Sequence, residues 1–160
     1  MEAKTLKLEK SKAIKIFNKS SDEVKEILID SFGKDCFSGN ILDRINSVED
    51  ALSEADELTR QDFLKAIGGY TTPDRIAEEE LKLIIKVINE GVVFDYSDIN
   101  QKKWYPVFEF IPGSGFVFAH SYFSCDLTSA AVGSRLCFSD EKKCEAIAKR
   151  FIEKYNRMLL

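Results

Sequence analysis

The spacing of apolar residues predicts a long amphipathic helix in the middle of the chain. Apolar side chains recur there every three or four positions, at Ala77, Leu81, Ile84 and Ile88. Thr72 and Pro73 precede this run, and Gly91 follows it. Thr before Pro is typical of a helix start, and Gly is typical of the residue after a helix end. We therefore expect a helix over residues 73–90.

After residue 91 the pattern changes to that of β-strands. Residues 104–111 (WYPVFEFI) and 116–123 (FVFAHSYF) are rich in aromatic and β-branched types and are joined by PGSG. This arrangement predicts a β-hairpin with a four-residue loop. Pro106 removes one backbone donor, which indicates an edge or bulged first strand. A third strand is expected to end at residues 135–138 (RLCF), giving a three-stranded antiparallel meander.

The remaining elements are expected to be helical. A short strand is predicted at residues 5–8 and a helix from about residue 11 to 17. Ser20 with Glu23 resembles a capping box for a second helix, and Ser47 and Thr59 resemble N-caps of two more. Ser139 is expected to cap an amphipathic C-terminal helix. The fold class that follows is α+β: amino-terminal helices and a long central helix on a three-stranded meander, closed by a C-terminal helix.

Composition places the chain among ordinary globular proteins. It has 160 residues, 44% of them apolar, and a formal net charge of −4. This length predicts a single domain over residues 1–160. No stretch resembles a secretory signal or a membrane span, so we expect a cytoplasmic protein with no membrane partner. The four cysteines lack zinc-site spacing and are expected to be reduced.

The second half resembles a family of small proteins encoded by phages and prophages of gut Bacteroidales. The resemblance rests on residues 94–108 (FDYSDINQKKWYPVF) and 132–139 (VGSRLCFS) and covers roughly residues 62–158. Members typically carry "DWxxxNQxKYYPWF" and then "VGSRLCFKS". Tyr96 stands where the family usually has Trp, and Trp104 where it usually has Tyr. The resemblance implies a mobile-element origin and a shared fold for residues 62–160, with residues 1–61 as a variable helical part, and it implies no reaction.

The acidic loop after the central helix has two interpretations. Asp95, Asp98 and Asn100 supply oxygen atoms of the kind that bind hard cations. Their spacing differs from that of an EF-hand. Side chains of these types also cap turns by accepting backbone N–H groups. We favour turn capping, and expect no metal and no cofactor.

His120 and Arg135 are the two residues whose side chains invite a chemical role. His120 is expected on the same strand face as Phe116, Phe118 and Tyr122, by alternation. It lacks the sequence context of a catalytic triad, so we expect no catalytic residue. Arg135 follows Gly133 and Ser134 in a segment that lacks the pattern of a phosphate-binding loop. A guanidinium at this position pairs either with a local carboxylate or with a ligand.

Aromatic side chains make the hairpin the candidate binding surface. Residues 104, 106, 108 and 110 should share one face and residues 105, 107, 109 and 111 the other. A face left uncovered would present aromatic groups to a partner. The binding residues predicted on this basis are Trp104, Tyr105, His120, Tyr122 and Arg135.

Three functional classes follow from these observations. The first is a non-enzymatic accessory factor that binds a host or phage protein, in counter-defence or regulation. The second is a small-ligand or nucleotide-binding module that uses the sheet aromatics and Arg135. The third is an enzyme that works through His120. The acidic balance argues against a general nucleic-acid-coating role. The lysines near the two ends are expected to be solvated, and the alternative, a local basic patch formed where the two ends meet, predicts salt-dependent binding to DNA or RNA. Pairing of two copies through residues 104–111, as a homodimer, stays open.

Overall fold

The chain divides into two compact units, residues 1–54 and 55–160. A computed structural model describes residues 10–17, 19–37, 39–69, 72–125 and 136–160. The strand expected at residues 5–8 lies outside these ranges. The expectation of one domain over residues 1–160 stays a prediction.

The first unit is helical throughout its described part. Its elements are α1 (Lys10–Phe17), α2 (Asp22–Phe32), a 3₁₀ turn (Lys34–Phe37), α3 (Ile41–Arg44) and α4 (Val48–Glu54). The rings of Phe17 and Phe37 stack with centroids 4.3 Å apart. Ala13, Ile45 and Ala51 are buried completely. A small apolar core therefore holds these short helices together.

The second unit combines four helices with a β-hairpin in the residues that the structure describes. The elements are α5 (Glu57–Gly68), α6 (Pro73–Ile88), β1 (Lys103–Ile111), β2 (Gly115–Ser124), α7 (Glu141–Arg150) and α8 (Ile152–Leu159). Helix α6 packs against α5 and α8, and α7 and α8 pack on the hairpin. The predicted central helix and the hairpin are thus present, with ends shifted by one or two residues.

The predicted three-stranded meander is wrong. Within the described part of the chain the sheet has two antiparallel strands, β1 and β2. Where the third strand was expected to end, Phe138 forms one isolated antiparallel bridge with Trp104. The side chain of Asn89 binds the backbone on both sides of Phe138: its Nδ2 donates to the Cys137 carbonyl at 2.9 Å, and its Oδ1 accepts from Ser139 N at 2.9 Å. A side-chain amide therefore occupies backbone groups that would otherwise be free to pair with a strand.

Three of the predicted helix caps are also wrong. Asp56, and not the predicted Thr59, is the N-cap of α5. Its carboxylate accepts from both N and Oγ1 of Thr59, each at 2.8 Å. Asp140, and not the predicted Ser139, caps α7 by accepting from Lys143 N. Ser20 forms no capping box, because its hydroxyl donates to the Ile16 carbonyl. Two predictions are confirmed: Ser47 Oγ accepts from Asp50 N at the start of α4, and α6 begins at Pro73 after Thr72.

The C-terminal helix is interrupted at Phe151, which separates α7 from α8. Phe151 has φ −110° and ψ 29°, outside helical geometry, and its side chain is buried. Apolar residues continue at helical spacing through this point, so the sequence gives no signal for the break. The interruption separates α7, which packs on both strands of the hairpin, from α8, which carries Tyr155 and Asn156.

Candidate functional site

A β-bulge decides which side chains of the hairpin share a face. Val107 pairs with His120 and the next residue, Phe108, pairs with Phe118, so Ala119 is an extra residue on β2. Directly opposed residues of an antiparallel pair project from the same face. His120 therefore lies with Val107, on the opposite face from Phe118. The prediction that His120 shares a face with Phe116 and Phe118 is wrong, because a bulge shifts the alternation by one residue.

One face of the hairpin packs on the C-terminal helices. The ring of Phe108 lies 4.7 Å from that of Tyr155, measured between centroids, and Lys149 Nζ lies 5.3 Å from the centre of the Phe118 ring. Tyr155 is almost completely buried. This face belongs to the core of the second unit.

The other face carries the exposed side chains, and we call it the open face. It consists of Val107, Glu109, Ile111, Val117, His120 and Tyr122. Tyr122 is 59% exposed and Ile111 42% exposed, while Glu109 and His120 are also at the surface. Two of the predicted binding residues, His120 and Tyr122, thus lie together on a surface with an apolar and aromatic character.

Tyr105 lies on the same side as the open face but is half-buried by neighbouring side chains. It is directly opposite Tyr122, and its hydroxyl contacts the thiol of Cys137. The hydroxyl of Tyr96 lies 3.8 Å from the same sulfur. Burial raises the pKa of Tyr105 to about 12 and raises that of Cys137 as well. Tyr105 therefore lies next to Tyr122 at one end of the open face, and its phenol is neutral near neutral pH.

By the strand register Trp104 lies on the opposite face from Tyr105, His120 and Tyr122, although the ring of its neighbour Phe123 also stacks on that of Tyr122, with centroids 6.3 Å apart. Trp104 is half-buried, its backbone pairs with that of Phe138, and its ring centroid is 5.1 Å from that of Phe123. Lys102 Nζ lies 4.4 Å from the centre of the Phe123 ring. Trp104 therefore joins β1 to the segment around Phe138 through backbone hydrogen bonds. Arg135, the fifth predicted residue, lies outside the described residues.

The loop before β1 is held by its own side chains. Asp95 Oδ1 accepts from both N and Oγ of Ser97, at 2.8 and 2.6 Å, and these bonds lower the pKa of Asp95. Asp98 Oδ1 accepts from Asn100 N at 2.8 Å. The turn-capping interpretation of this acidic loop is confirmed, since both carboxylates bind backbone amides.

The cysteines in the core of the second unit are poor nucleophiles. All four cysteines of the chain are reduced, as predicted, and Cys36, Cys137 and Cys144 are buried. Burial raises the pKa of Cys144 to about 11. A buried thiol of this kind stays protonated near neutral pH, while attack on a substrate requires the thiolate.

Sequence reasoning missed a cleft next to helix α6. Its volume is about 570 Å³, and it lies among α5, α6 and residues 91–94. Phe63, Leu83 and Phe94 supply apolar surface, and Asp62 and Lys86 supply charges. This size is within the range of small-molecule sites. The sequence signal was weak, because the residues after Gly91 belong to no regular element and their approach to α5 depends on the fold.

Comparison with protein-family models, with curated proteins and with solved structures found no match. In the ranges that the structure describes, no helix is long and apolar enough to span a membrane. The same ranges contain no cluster of three or more His, Cys, Asp or Glu side chains arranged to hold a metal ion. The hairpin and the cleft are therefore the two candidate functional regions of the described residues.

Proposed function

We propose that this protein is a non-enzymatic accessory factor of phage or mobile-element origin that binds a host or phage protein in the host cytoplasm. The resemblance of residues 62–158 to phage-encoded proteins supports the origin. The open face of the hairpin supports the mode of action. Tyr122 is the observation that carries the proposal, because a tyrosine this exposed beside His120 on a sheet surface is typical of a protein interface.

The chemistry of the open face favours binding over catalysis. His120 lies opposite Val107 on β2, and the hydroxyl of Tyr105, which is on the same side of the hairpin, has a raised pKa. The thiols of Cys137 and Cys144 are buried and protonated. If His120 acted as a general base, it would need a nucleophile within hydrogen-bond reach. The protonated phenol of Tyr105 and the buried thiols of Cys137 and Cys144 are not suited to be that nucleophile near neutral pH.

Photo-crosslinking tests this proposal directly. A benzophenone amino acid placed at position 122 should capture a discrete partner from host cells, and the same probe at position 58 should not. Leu58 is a suitable control because it is 67% exposed on α5, away from the hairpin. Tyr122→Ser should abolish the interaction with the captured partner, while Leu58→Ser should retain it. Equal capture at both positions would contradict the proposal.

A second candidate function is binding of a small amphipathic ligand in the cleft beside α6. Its volume of about 570 Å³ and its mixture of Phe63, Leu83 and Phe94 with Lys86 support this function. Native mass spectrometry of gently purified, untagged protein should then show an added small-molecule mass. Val92→Trp, which places a larger side chain on the lining of the cleft, should remove that mass. An unmodified mass for the wild-type chain would contradict this candidate.

A further inference from the structure

The edge of β1 that faces away from β2 carries backbone groups that are unpaired within the part of the chain that the structure describes. Trp104 N and O pair with Phe138 on this side, at 3.0 and 2.8 Å. Because alternate residues of a strand direct their backbone groups to the same side, those of Pro106, Phe108 and Phe110 also point away from β2. Phe108 and Phe110 have no hydrogen-bond partner for these groups among the described residues. We call the backbone groups of Pro106, Phe108 and Phe110 the free edge.

The corresponding edge of β2 is protected by a side chain. Asn156 Oδ1 accepts from Phe116 N at 2.6 Å, and Asn156 Nδ2 donates to the Phe116 carbonyl at 2.8 Å. The amide of Asn156 thus makes the two bonds that a neighbouring strand would make. A strand edge presents a template for another extended chain unless it is covered or blocked. Among the described residues, the free edge of β1 has only Pro106 as a partial block.

A second copy of this chain is a poor occupant of the free edge. Antiparallel pairing of two β1 strands centred on Glu109 bonds Phe108 to Phe110 of the other copy. It also places the two Glu109 carboxylates directly opposite each other, and like charges in this position repel. Centring the pair on Phe108 places Pro106, which has no N–H, opposite Phe110. The first arrangement is therefore disfavoured by repulsion between carboxylates, and the second by the loss of a backbone hydrogen bond at Pro106.

A basic residue opposite Glu109 removes this repulsion. Glu109 is exposed on the open face and has no ion-pair partner among the described residues. Its neighbours on β1 on that face, Val107 and Ile111, are apolar. A strand laid along the free edge therefore meets one negative charge between apolar side chains. This pattern selects an extended segment with a Lys or Arg between apolar or β-branched residues.

We propose that the free edge of β1 accepts an extended segment of the partner protein as an additional β-strand, with a Lys or Arg of that segment opposite Glu109. Strand addition of this kind draws affinity from main-chain hydrogen bonds and specificity from alternate side chains. This inference rests on the proposed function and specifies its partner as a basic, β-prone extended segment.

A synthetic peptide tests the inference without knowledge of the natural partner. The probe is a short peptide that alternates Val and Thr around one central Lys. At saturation it should slow amide exchange of Phe108 and Phe110 at least about tenfold, with no change at control amides in α5. The same peptide with Glu in place of Lys should bind about fivefold more weakly or worse. Glu109→Lys should reverse this preference.

Variants at Phe110 separate the backbone from the side chain. Phe110 is 53% exposed, so its replacement leaves the core intact. Phe110→Pro removes the outward N–H and should abolish peptide binding, while Phe110→Ala keeps the N–H and should retain it. Loss of binding in both variants would overturn strand addition, as would protection of the Phe108 and Phe110 amides in the protein alone. A concentration-dependent dimer that protects these amides would also overturn it.

The two proposals fail in different ways. If Tyr122→Ser loses the captured partner and Phe110→Pro retains it, the protein-binding function stands and strand addition is wrong. If both variants retain the partner, both proposals are wrong. If both variants lose the partner and Phe110→Ala retains it, both proposals hold.

Discussion

The side-chain amide of Asn89 is bonded to the backbone on both sides of Phe138, at the Cys137 carbonyl and the Ser139 N–H, each at 2.9 Å. Asn89 is the C-cap of α6 and is only 4% exposed. Asn89→Ala leaves a buried acceptor, the Cys137 carbonyl, and a part-buried donor, the Ser139 N–H, without this partner. We expect a loss of about 2–4 kcal/mol in the free energy of unfolding, measured by urea denaturation. The exposed Asn100→Ala is the matched control and should change it by less than about 0.5 kcal/mol.

Gly115 is predicted to be intolerant of a side chain because of Asn156. Its φ is +81°, and a Cβ built there would lie 2.6 Å from Asn156 Oδ1. Gly113 has a similar φ of +85°, and a Cβ built on it would have no atom within 4 Å. Backbone strain should cost about 1–2 kcal/mol in both Gly113→Ala and Gly115→Ala. Gly115→Ala should cost about 1 kcal/mol more, since it displaces the amide that binds Phe116.

A double-mutant cycle checks the cause of that difference. In an Asn156→Ala background the two glycine substitutions should have equal effects on the free energy of unfolding. A persistent difference would place the cause elsewhere in the turn.

Alkaline pH is predicted to destabilise the protein through buried acids. Burial raises the pKa of Cys144 from 9.0 to about 11 and that of Tyr105 from 10.0 to about 12. Each group keeps its proton in the folded state over a range where the unfolded chain loses it. The resulting stability is fully present below the unfolded pKa and is lost as pH rises through the folded value.

The free energy of unfolding should therefore fall between about pH 9 and 12, by up to about 1.4 kcal/mol per pH unit for each such proton. Urea titrations at one-unit intervals measure this slope. Cys144→Ala should make the fall between pH 9 and 11 shallower, although it lowers stability at neutral pH by creating a cavity. An unchanged slope in Cys144→Ala would refute the assignment.

The ion pair between Arg44 and Glu54 is predicted to stabilise the first unit. Arg44 Nε and Nη2 donate to the two carboxylate oxygens at 3.2 and 3.3 Å, and both side chains are largely buried. Arg44→Gln should lower the free energy of unfolding by about 1–3 kcal/mol. Lys25→Gln breaks a pair in which Asp22 is fully at the surface, and it should change stability by less than about 0.5 kcal/mol. Equal effects in the two variants would contradict the prediction.

The elements with strong local signals were predictable from the sequence. Thr72-Pro73 and the apolar stripe through Leu81 located α6, and the aromatic runs around PGSG located the hairpin. Pro106 indicated an edge or bulged first strand, and in the described sheet β1 is an edge strand, while the extra residue of the bulge, Ala119, lies on β2.

The parts that depend on distant contacts were not predictable. The bulge at Ala119 reverses the face of His120, and nothing in the sequence distinguishes it from regular alternation. The two strand-like clamps, Asn89 on the Phe138 segment and Asn156 on Phe116, join residues 40 or more positions apart. An asparagine at a helix end looks like an ordinary cap until its partner is in place. The candidate site was therefore only half predicted: His120 and Tyr122 meet on the open face, and Trp104 does not join them.

The asparagine clamps also bear on the order in which this protein folds. Asn89 bonds to residues 48 and 50 positions away, and Asn156 bonds to one 40 positions away. Closing a loop of this length costs conformational entropy before the hydrogen bond can form. We therefore expect these bonds to form late in folding. Interactions absent from the folding transition state affect the unfolding rate and leave the folding rate nearly unchanged. We therefore expect that removing either asparagine amide speeds unfolding of the hairpin and leaves its folding rate nearly unchanged.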